Sequence, residues 1–307
     1  MRRSFVDALV RLAEDDHSVV LLTGDLGFTV LEPFAERFPE RFFNVGVAEQ
    51  NMMGLATGLA ASGYSPYTYS IATFASMRAY EFLRNGPVLH QLPVRVVGVG
   101  GGLDYGHNGP THYALEDVGI MRLQPGLTGV APADGPQTAS AVFATAALPG
   151  PVYLRLGKEE QALPGLDGRF ELGRAQCLGG GRDVAIVTYG GVAGEAVAAA
   201  ALLEEQGVHA TVVIAACLAP SPLGDLVAVL SEVPLAVTLE AHYTNGGIGS
   251  LVSETVAEHG LDCRVLRCGI PDMPSGHSGD PGYLHDRYLL SARQVADTAV
   301  GVLQVGW

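Results

Sequence analysis

Short apolar runs alternate with amphipathic segments along nearly the whole chain, and this alternation constrains the fold more than any other feature. Ser18 to Leu26, Tyr67 to Ile71, Val94 to Val99, Thr128 to Ala131 and Val152 to Leu156 read as strands. Between them, Asn51 to Ala61, Met77 to Gln91, Tyr113 to Arg122 and Pro136 to Ala147 read as helices. Strands that are apolar on both faces must be covered on both faces, which predicts a parallel sheet between layers of helix. Lys158 to Arg182, rich in Gly, Pro and charge without a sustained period, reads as a linker. A second series then begins with Val184 to Tyr189 as strand, Val192 to Gln206 as helix and Ala210 to Ala216 as strand. It closes with Leu235 to Glu240 as strand, Ser250 to His259 as helix and Arg264 to Leu266 as strand. The expected architecture is α/β in two domains, residues 1–157 and 183–307 joined by 158–182, each a mostly parallel sheet flanked by helices.

Composition narrows the classes. Of 307 residues, 48 % are hydrophobic and 16 % charged, which suits a large core with little spare polar surface. The net charge of −14, from 18 basic against 32 acidic residues, repels phosphate backbones and argues against nucleic acid as a partner. Met1-Arg2-Arg3 leads into an amphipathic segment rather than a signal sequence, and no apolar run is long enough to cross a bilayer. The four cysteines, Cys177, Cys217, Cys263 and Cys268, match no zinc pattern, and a reduced, cytoplasmic setting is expected.

Several junctions carry chemistry. In Phe42-Phe43-Asn44-Val45-Gly46-Val47-Ala48-Glu49-Gln50-Asn51, a strand-like run ends in a glycine and a carboxylate opens a small-residue helix. A carboxylate withdrawn from water there is equipped to share a proton near neutral pH, although a plain helix-start acid at the positive end of the dipole reads equally well. Phe74 follows a strand end, where ligands gather in open α/β sheets, and is either a stacking platform or core; Arg78 by default lies on a helix surface. The loop Gly100 to His112 is too polar and glycine-rich for core. Its His107 and His112 lack a third metal ligand, and His112 suits hydrogen bonding to a polar substrate. Arg155, inside an apolar strand, needs an anion, either a carboxylate such as Asp134 or a ligand phosphate. The stretch after Glu240, Asn245 to Ser250, is either an anion-holding helix N-terminus or a tight turn.

Together, FFNVGVAEQNMMGLATGLA, TFASMRAYEFLRN, GPTHYALEDVGIMR, GPVYLRLGK and VTLEAHYTNGGIGS resemble the C-terminal half of transketolase, above all the separate C-terminal subunit of split transketolases. The blocks run in the family's order over nearly the whole chain, and AEQN and GPTH make the match specific. The resemblance implies a pyrimidine-binding domain for thiamine diphosphate followed by a transketolase C-terminal domain. It implies that Glu49 hydrogen-bonds N1′ of the aminopyrimidine and promotes its proton-accepting imino form. It further implies that Phe74 stacks on that ring with Arg78 nearby, that His107, Asn108 and His112 meet substrate, and that Arg155 meets a substrate phosphate. His112 would also act in catalysis.

Three departures shape the expectation. No Gly-Asp-Gly…Asn-Asn motif for Mg²⁺ and the diphosphate is present, and Gly24-Asp25-Leu26-Gly27 does not replace it. A glycine run around Gly100 stands where the family commonly has a further substrate histidine, and Asn108 stands for an aspartate; both point to a less usual substrate. The chain is thus expected to transfer a two-carbon ketol unit between a ketose and an aldose or related aldehyde, with no metal of its own. It would do so only with an N-terminal diphosphate-binding partner that holds Mg²⁺, in a heterotetramer with two copies of each chain. A 2-oxoacid dehydrogenase beta subunit, a 1-deoxyxylulose-5-phosphate synthase-like enzyme and a non-catalytic subunit are the alternatives.

Overall fold

The computed structural model describes residues 1–305, so Gly306 and Trp307, the last residues of the expected second domain, lie outside it. The chain begins with α1 (Arg2–Asp15), whose Phe5, Val6, Leu9 and Ala13 recur at helical spacing and are buried. Then come β1 (Val19–Thr23), α2 (Glu32–Arg37), β2 (Phe42–Asn44), α3 (Glu49–Ala61), β3 (Ser65–Ile71) and the single turn α4 (Tyr80–Leu83). β4 (Arg95–Val99), α5 (Asp117–Arg122), β5 (Thr128–Val130), α6 (Gly135–Ala146) and β6 (Val152–Leu156) complete the series.

The remainder comprises β7 (Gln176–Gly179), β8 (Val184–Thr188), α7 (Ala193–Glu204), β9 (Ala210–Ile214), β10 (Cys217–Ala219) and α8 (Leu223–Leu230). It ends with β11 (Leu235–Tyr243), α9 (Ile248–His259), β12 (Arg264–Ile270), α10 (Pro281–Arg287) and α11 (Ala292–Val305). No helix among the described residues is long and apolar enough to cross a membrane.

The first sheet has the order β10-β5-β6-β4-β3-β1-β2 and the second β12-β11-β8-β9-β7. All pairings are parallel except β10 on β5 and β7 on β9. Two parts of the sequence expectation give way here. Gln176–Gly179, placed in the linker, is an edge strand of the second sheet, held by residue-for-residue pairing with β9. Cys217–Ala219, from the second half, closes the edge of the first sheet. Neither pairing has a local signature, because both depend on partners distant in sequence.

Strands β1, β3, β4 and β6 bury every interior residue, as two covered faces require. One face is covered by α1 and α6, through Phe5, Leu9, Leu21, Tyr67, Tyr69, Val97, Leu154 and Val142. The other is covered by α3 and the segment after β3, through Met53, Ala56, Ala79, Leu83, Val94 and Val96. The expected single helix from Met77 to Gln91 is instead two widened turns, Phe74–Arg78 and Arg84–Val88, on either side of α4. Pro87, which cannot donate a backbone hydrogen bond, sits in the second.

The chain runs from β1 to β2 on one side and then returns to β3 on the other. This reversal opens a crevice at the carboxyl ends of β1 and β3, the usual ligand position in such sheets.

Candidate active site

At that crevice Glu49 is the first residue of α3 and only 1 % exposed. No side chain caps the helix, so its free N–H groups and dipole favour a carboxylate at this point. Gly24, at the end of β1, admits it: a Cβ there would lie 3.3 Å from Glu49 Oε1. The Ser70 hydroxyl on β3 donates to Oε1 at 2.9 Å, and Arg78 Nη1 donates to Oε2 at 2.7 Å. Both carboxylate oxygens therefore have a partner, one neutral and one cationic.

Phe74 and Arg78 occupy the first and last positions of the widened turn after β3. Turns of this kind re-aim side chains at functional sites. The Arg78 guanidinium lies 4.1 Å from the centre of the Phe74 ring. His112 meets the same ring edge-on, with centroids 5.2 Å apart and planes inclined by 65°. Thr111 Oγ1 lies 3.0 Å from His112 Nδ1. One buried carboxylate, one aromatic ring and one imidazole are thus linked in a chain of contacts through Arg78 and Phe74.

The loop carrying His112 is braced by the second domain. Tyr113 donates its hydroxyl to the His277 carbonyl at 2.7 Å, and Gly279 N–H donates to the Gly106 carbonyl at 3.1 Å. A Cβ on Gly106 would fall on the Gly279 carbonyl, so only glycine allows this approach. His107 and Asn108 are exposed on the short turn Gly106–Asn108.

Arg155 is placed differently from the phosphate-contact expectation. Its side chain is 5 % exposed and its Nε donates to Asp117 Oδ2 at 2.8 Å. Nη2 donates to the carbonyls of Ala114 at 3.1 Å and Ala241 at 3.0 Å. The guanidinium is spent on a carboxylate and two carbonyls that join the domains. The carboxylate is Asp117 rather than Asp134, which instead caps α6 by accepting from Gln137 N–H. Tyr153 also donates to Asp117 Oδ2, at 2.7 Å; burial, reinforced by that carboxylate, holds its hydroxyl well above the usual range.

A different cation reaches the loop. Lys158 Nζ sits 3.5 Å above the Tyr105 ring, whose centroid is 6.3 Å from that of His112. Partial burial lowers the Lys158 ammonium below its ordinary value. Lys158 escapes a reading of the sequence because it stands among ordinary linker residues; only its place just beyond Leu156, at the carboxyl end of a strand, marks it.

The anion-site reading of Asn245 to Ser250 is settled inside the protein. Ile248 and Gly249, at the start of α9, donate their N–H groups to Glu240 Oε2 and Oε1 at 2.8 and 2.9 Å. The helix N-terminus is filled by the chain's own carboxylate. Among the described residues, no group of three or more His, Cys, Asp or Glu side chains is placed to hold a metal ion.

Comparison with known proteins identifies the family. The family model for the transketolase pyrimidine binding domain matches residues 1–162, and that for the transketolase C-terminal domain matches residues 173–295. A subunit of the apulose-4-phosphate transketolase of Phocaeicola vulgatus is 33 % identical over 97 % of this chain and 96 % of its own length. The 6-deoxy-6-sulfo-D-fructose transketolase subunit SqwH of a Clostridium species is 34 % identical over 97 % of this chain and 93 % of its own. A solved structure described as a split gene transketolase, inactive beta4 tetramer, superposes with a TM-score of 0.90 at 37 % identity, covering 100 % of this chain and 99 % of that one.

Proposed function

The chain belongs to the transketolase family, with a pyrimidine-binding and a C-terminal domain, and on that premise we propose that it is the C-terminal subunit of a split transketolase. It transfers a two-carbon ketol unit from a ketose to an aldose or related aldehyde, in a complex with a separate diphosphate-binding chain. The observation that carries this reading is the pairing of a 1 %-exposed Glu49 with the face of Phe74, already engaged by a planar cation at 4.1 Å. An aminopyrimidine presents the same planar face and an edge able to bond a carboxylate, so these residues fit that half of thiamine diphosphate.

When bound, thiamine diphosphate supplies a carbon nucleophile that accepts and releases the ketol unit. This chain's residues prepare it. Glu49 holds or shares the proton at the pyrimidine nitrogen, Ser70 fixes the orientation of the carboxylate, and Phe74 sets the plane of the ring. His112, edge-on to Phe74, would handle a proton at the reacting carbonyl, with the exposed His107 and Asn108 of the same loop toward the substrate. Lys158, half-buried with its Nζ donating to the Asp104 carbonyl at 2.8 Å, is a nearer cation for an anionic group of the substrate than the enclosed Arg155.

Mg²⁺ and the diphosphate are held mainly by the partner, in a heterotetramer with two copies of each chain. The solved relative described as an inactive beta4 tetramer supports the need for a second chain. Four free thiols suit a reducing, cytoplasmic setting. Calorimetric titration of thiamine diphosphate and Mg²⁺ into the complex, purified through a tag on this chain, tests the reading. Saturable binding that Glu49→Ala weakens is expected; no binding by the complex would overturn it.

A further inference from the structure

Lys158 is the only lysine among the 18 Lys and Arg residues of the chain, and one residue holds it at two points. Asp104 Oδ2 accepts the Lys158 backbone N–H at 2.9 Å, and the Asp104 carbonyl accepts from Lys158 Nζ at 2.8 Å. The same ammonium lies 3.5 Å from the centre of the ring of Tyr105, the residue after Asp104. Asp104 itself stands on a firm base. Gly102 N–H donates to the Ala114 carbonyl at 3.0 Å, Ala114 N–H returns a bond to the Gly102 carbonyl at 2.9 Å, and Leu103 is wholly buried. Gly100 N–H donates to the Leu156 carbonyl at 2.7 Å, which ties the end of β4, leading to Asp104, to the end of β6, leading to Lys158.

We propose that Asp104 is a positioning residue of the substrate site: its carboxylate and carbonyl fix the main chain and the ammonium of Lys158, so that the cation is set over Tyr105, whose ring neighbours His112, before an anionic group arrives. This rests on the reading of Lys158 as the cation for such a group. A free lysine loses rotamer freedom when it grips a ligand; held at both ends, Lys158 has lost it beforehand. Its ammonium carries three donors, of which one serves the Asp104 carbonyl, and Tyr105 lies beneath it as a ring face, so donors remain for an anion. Burial raises the Asp104 carboxyl above its ordinary value, against the opposing pull of the Lys158 N–H and of the Arg155, His285 and Lys158 charges. A carboxylate next to an anion's seat repels the anion, so what favours binding is the place of its oxygen and not its charge.

The test reads Lys158 directly. As the chain's only lysine, it gives one acetylated lysine peptide by mass spectrometry when the complex is treated with acetic anhydride, and inorganic phosphate bound at the ammonium slows that reaction. Wild-type, Asp104→Asn and Asp104→Glu complexes are compared with thiamine diphosphate and Mg²⁺ present, and circular dichroism and thermal melts verify that each is folded. Asp104→Asn keeps an acceptor oxygen in place and loses the charge, whereas Asp104→Glu keeps the charge on a longer arm. Phosphate should protect Lys158 in the wild-type complex and at least as well in Asp104→Asn. Asp104→Glu should need roughly three- to tenfold more phosphate for half-protection, the scale of one lost hydrogen bond. Equal protection in the two variants, or the reverse order, would overturn the positioning role. No protection in the wild-type complex would instead remove Lys158 as the cation for an anionic group, and the proposal with it.

Discussion

Asp117 and Arg155, 38 residues apart on α5 and β6, form an ion pair at 2.8 Å with both side chains enclosed, 0 % and 5 % exposed. Because Arg155 also bonds the Ala241 carbonyl of β11, this pair fastens the two domains together. Removing one partner strands the other charge in the interior. Asp117→Asn or Arg155→Met should therefore cost about 3–5 kcal/mol of stability, read by urea denaturation. The double variant should cost less than the sum of the two. A loss near zero in either single variant would show that the pair does not hold the interface.

The Ser70 hydroxyl orients Glu49, and its removal should be felt in the chemistry more than in the fold. A hydrogen bond to a charged group contributes about 1.5–3 kcal/mol, so Ser70→Ala should lower turnover of the complex by at least about tenfold. Its melting temperature should change little by comparison. Steady-state kinetics with matched thermal melts decides this, and undiminished turnover would show that Glu49 needs no such anchor.

Much of the fold is legible in the sequence because burial on both faces of a parallel strand writes itself as an unbroken apolar run. At Glu49 the sequence offers a carboxylate withdrawn from water or a plain helix-start acid, and the residue is both, first in α3 and 1 % exposed. What stayed illegible was pairing over distance. Asp134 is one carboxylate the sequence offers Arg155, alongside a ligand phosphate, yet it is spent on α6, and Asp117 takes the role through the sheet. The strand Gln176–Gly179 hid in a polar stretch because only its antiparallel partner defines it. Asn245 to Ser250 read equally as an anion site or a turn, since nothing local says that Glu240 folds back to fill it.

Asp225 gives a pH dependence with a definite sign. Arg174 donates to both of its oxygens, at 2.8 and 2.9 Å, and Ala175 N–H adds a bond at 2.8 Å. Chiefly through Arg174, its carboxyl is held below the ordinary 3.8. A lowered value means stability that is present above 3.8 and lost as pH falls through the folded-state value. Since Arg174 is largely exposed, the contribution is about 0.2–1 kcal/mol. Melts between pH 3 and 6 should show the wild-type advantage over Asp225→Asn shrinking toward the acid end. An advantage independent of pH would refute the assignment.

Gly106 lets the second domain touch the loop that carries His112. Gly106→Ala puts a methyl against the Gly279 carbonyl and should loosen the brace, lowering turnover of the complex while leaving thiamine diphosphate affinity nearly unchanged. Kinetics beside calorimetry separates the two, and equal loss in both would place the brace at the cofactor rather than the substrate side.

The central claim, that Glu49 completes an active site only with a second polypeptide, is tested most directly by one assay of ketol transfer with thiamine diphosphate and Mg²⁺ present. The samples are this chain alone, its complex with the diphosphate-binding partner, and the same complex carrying Glu49→Ala. Activity should appear only in the wild-type complex and fall by about 10²–10⁴-fold on Glu49→Ala. Appreciable transfer by the lone chain, or normal turnover with Glu49→Ala, would contradict the account.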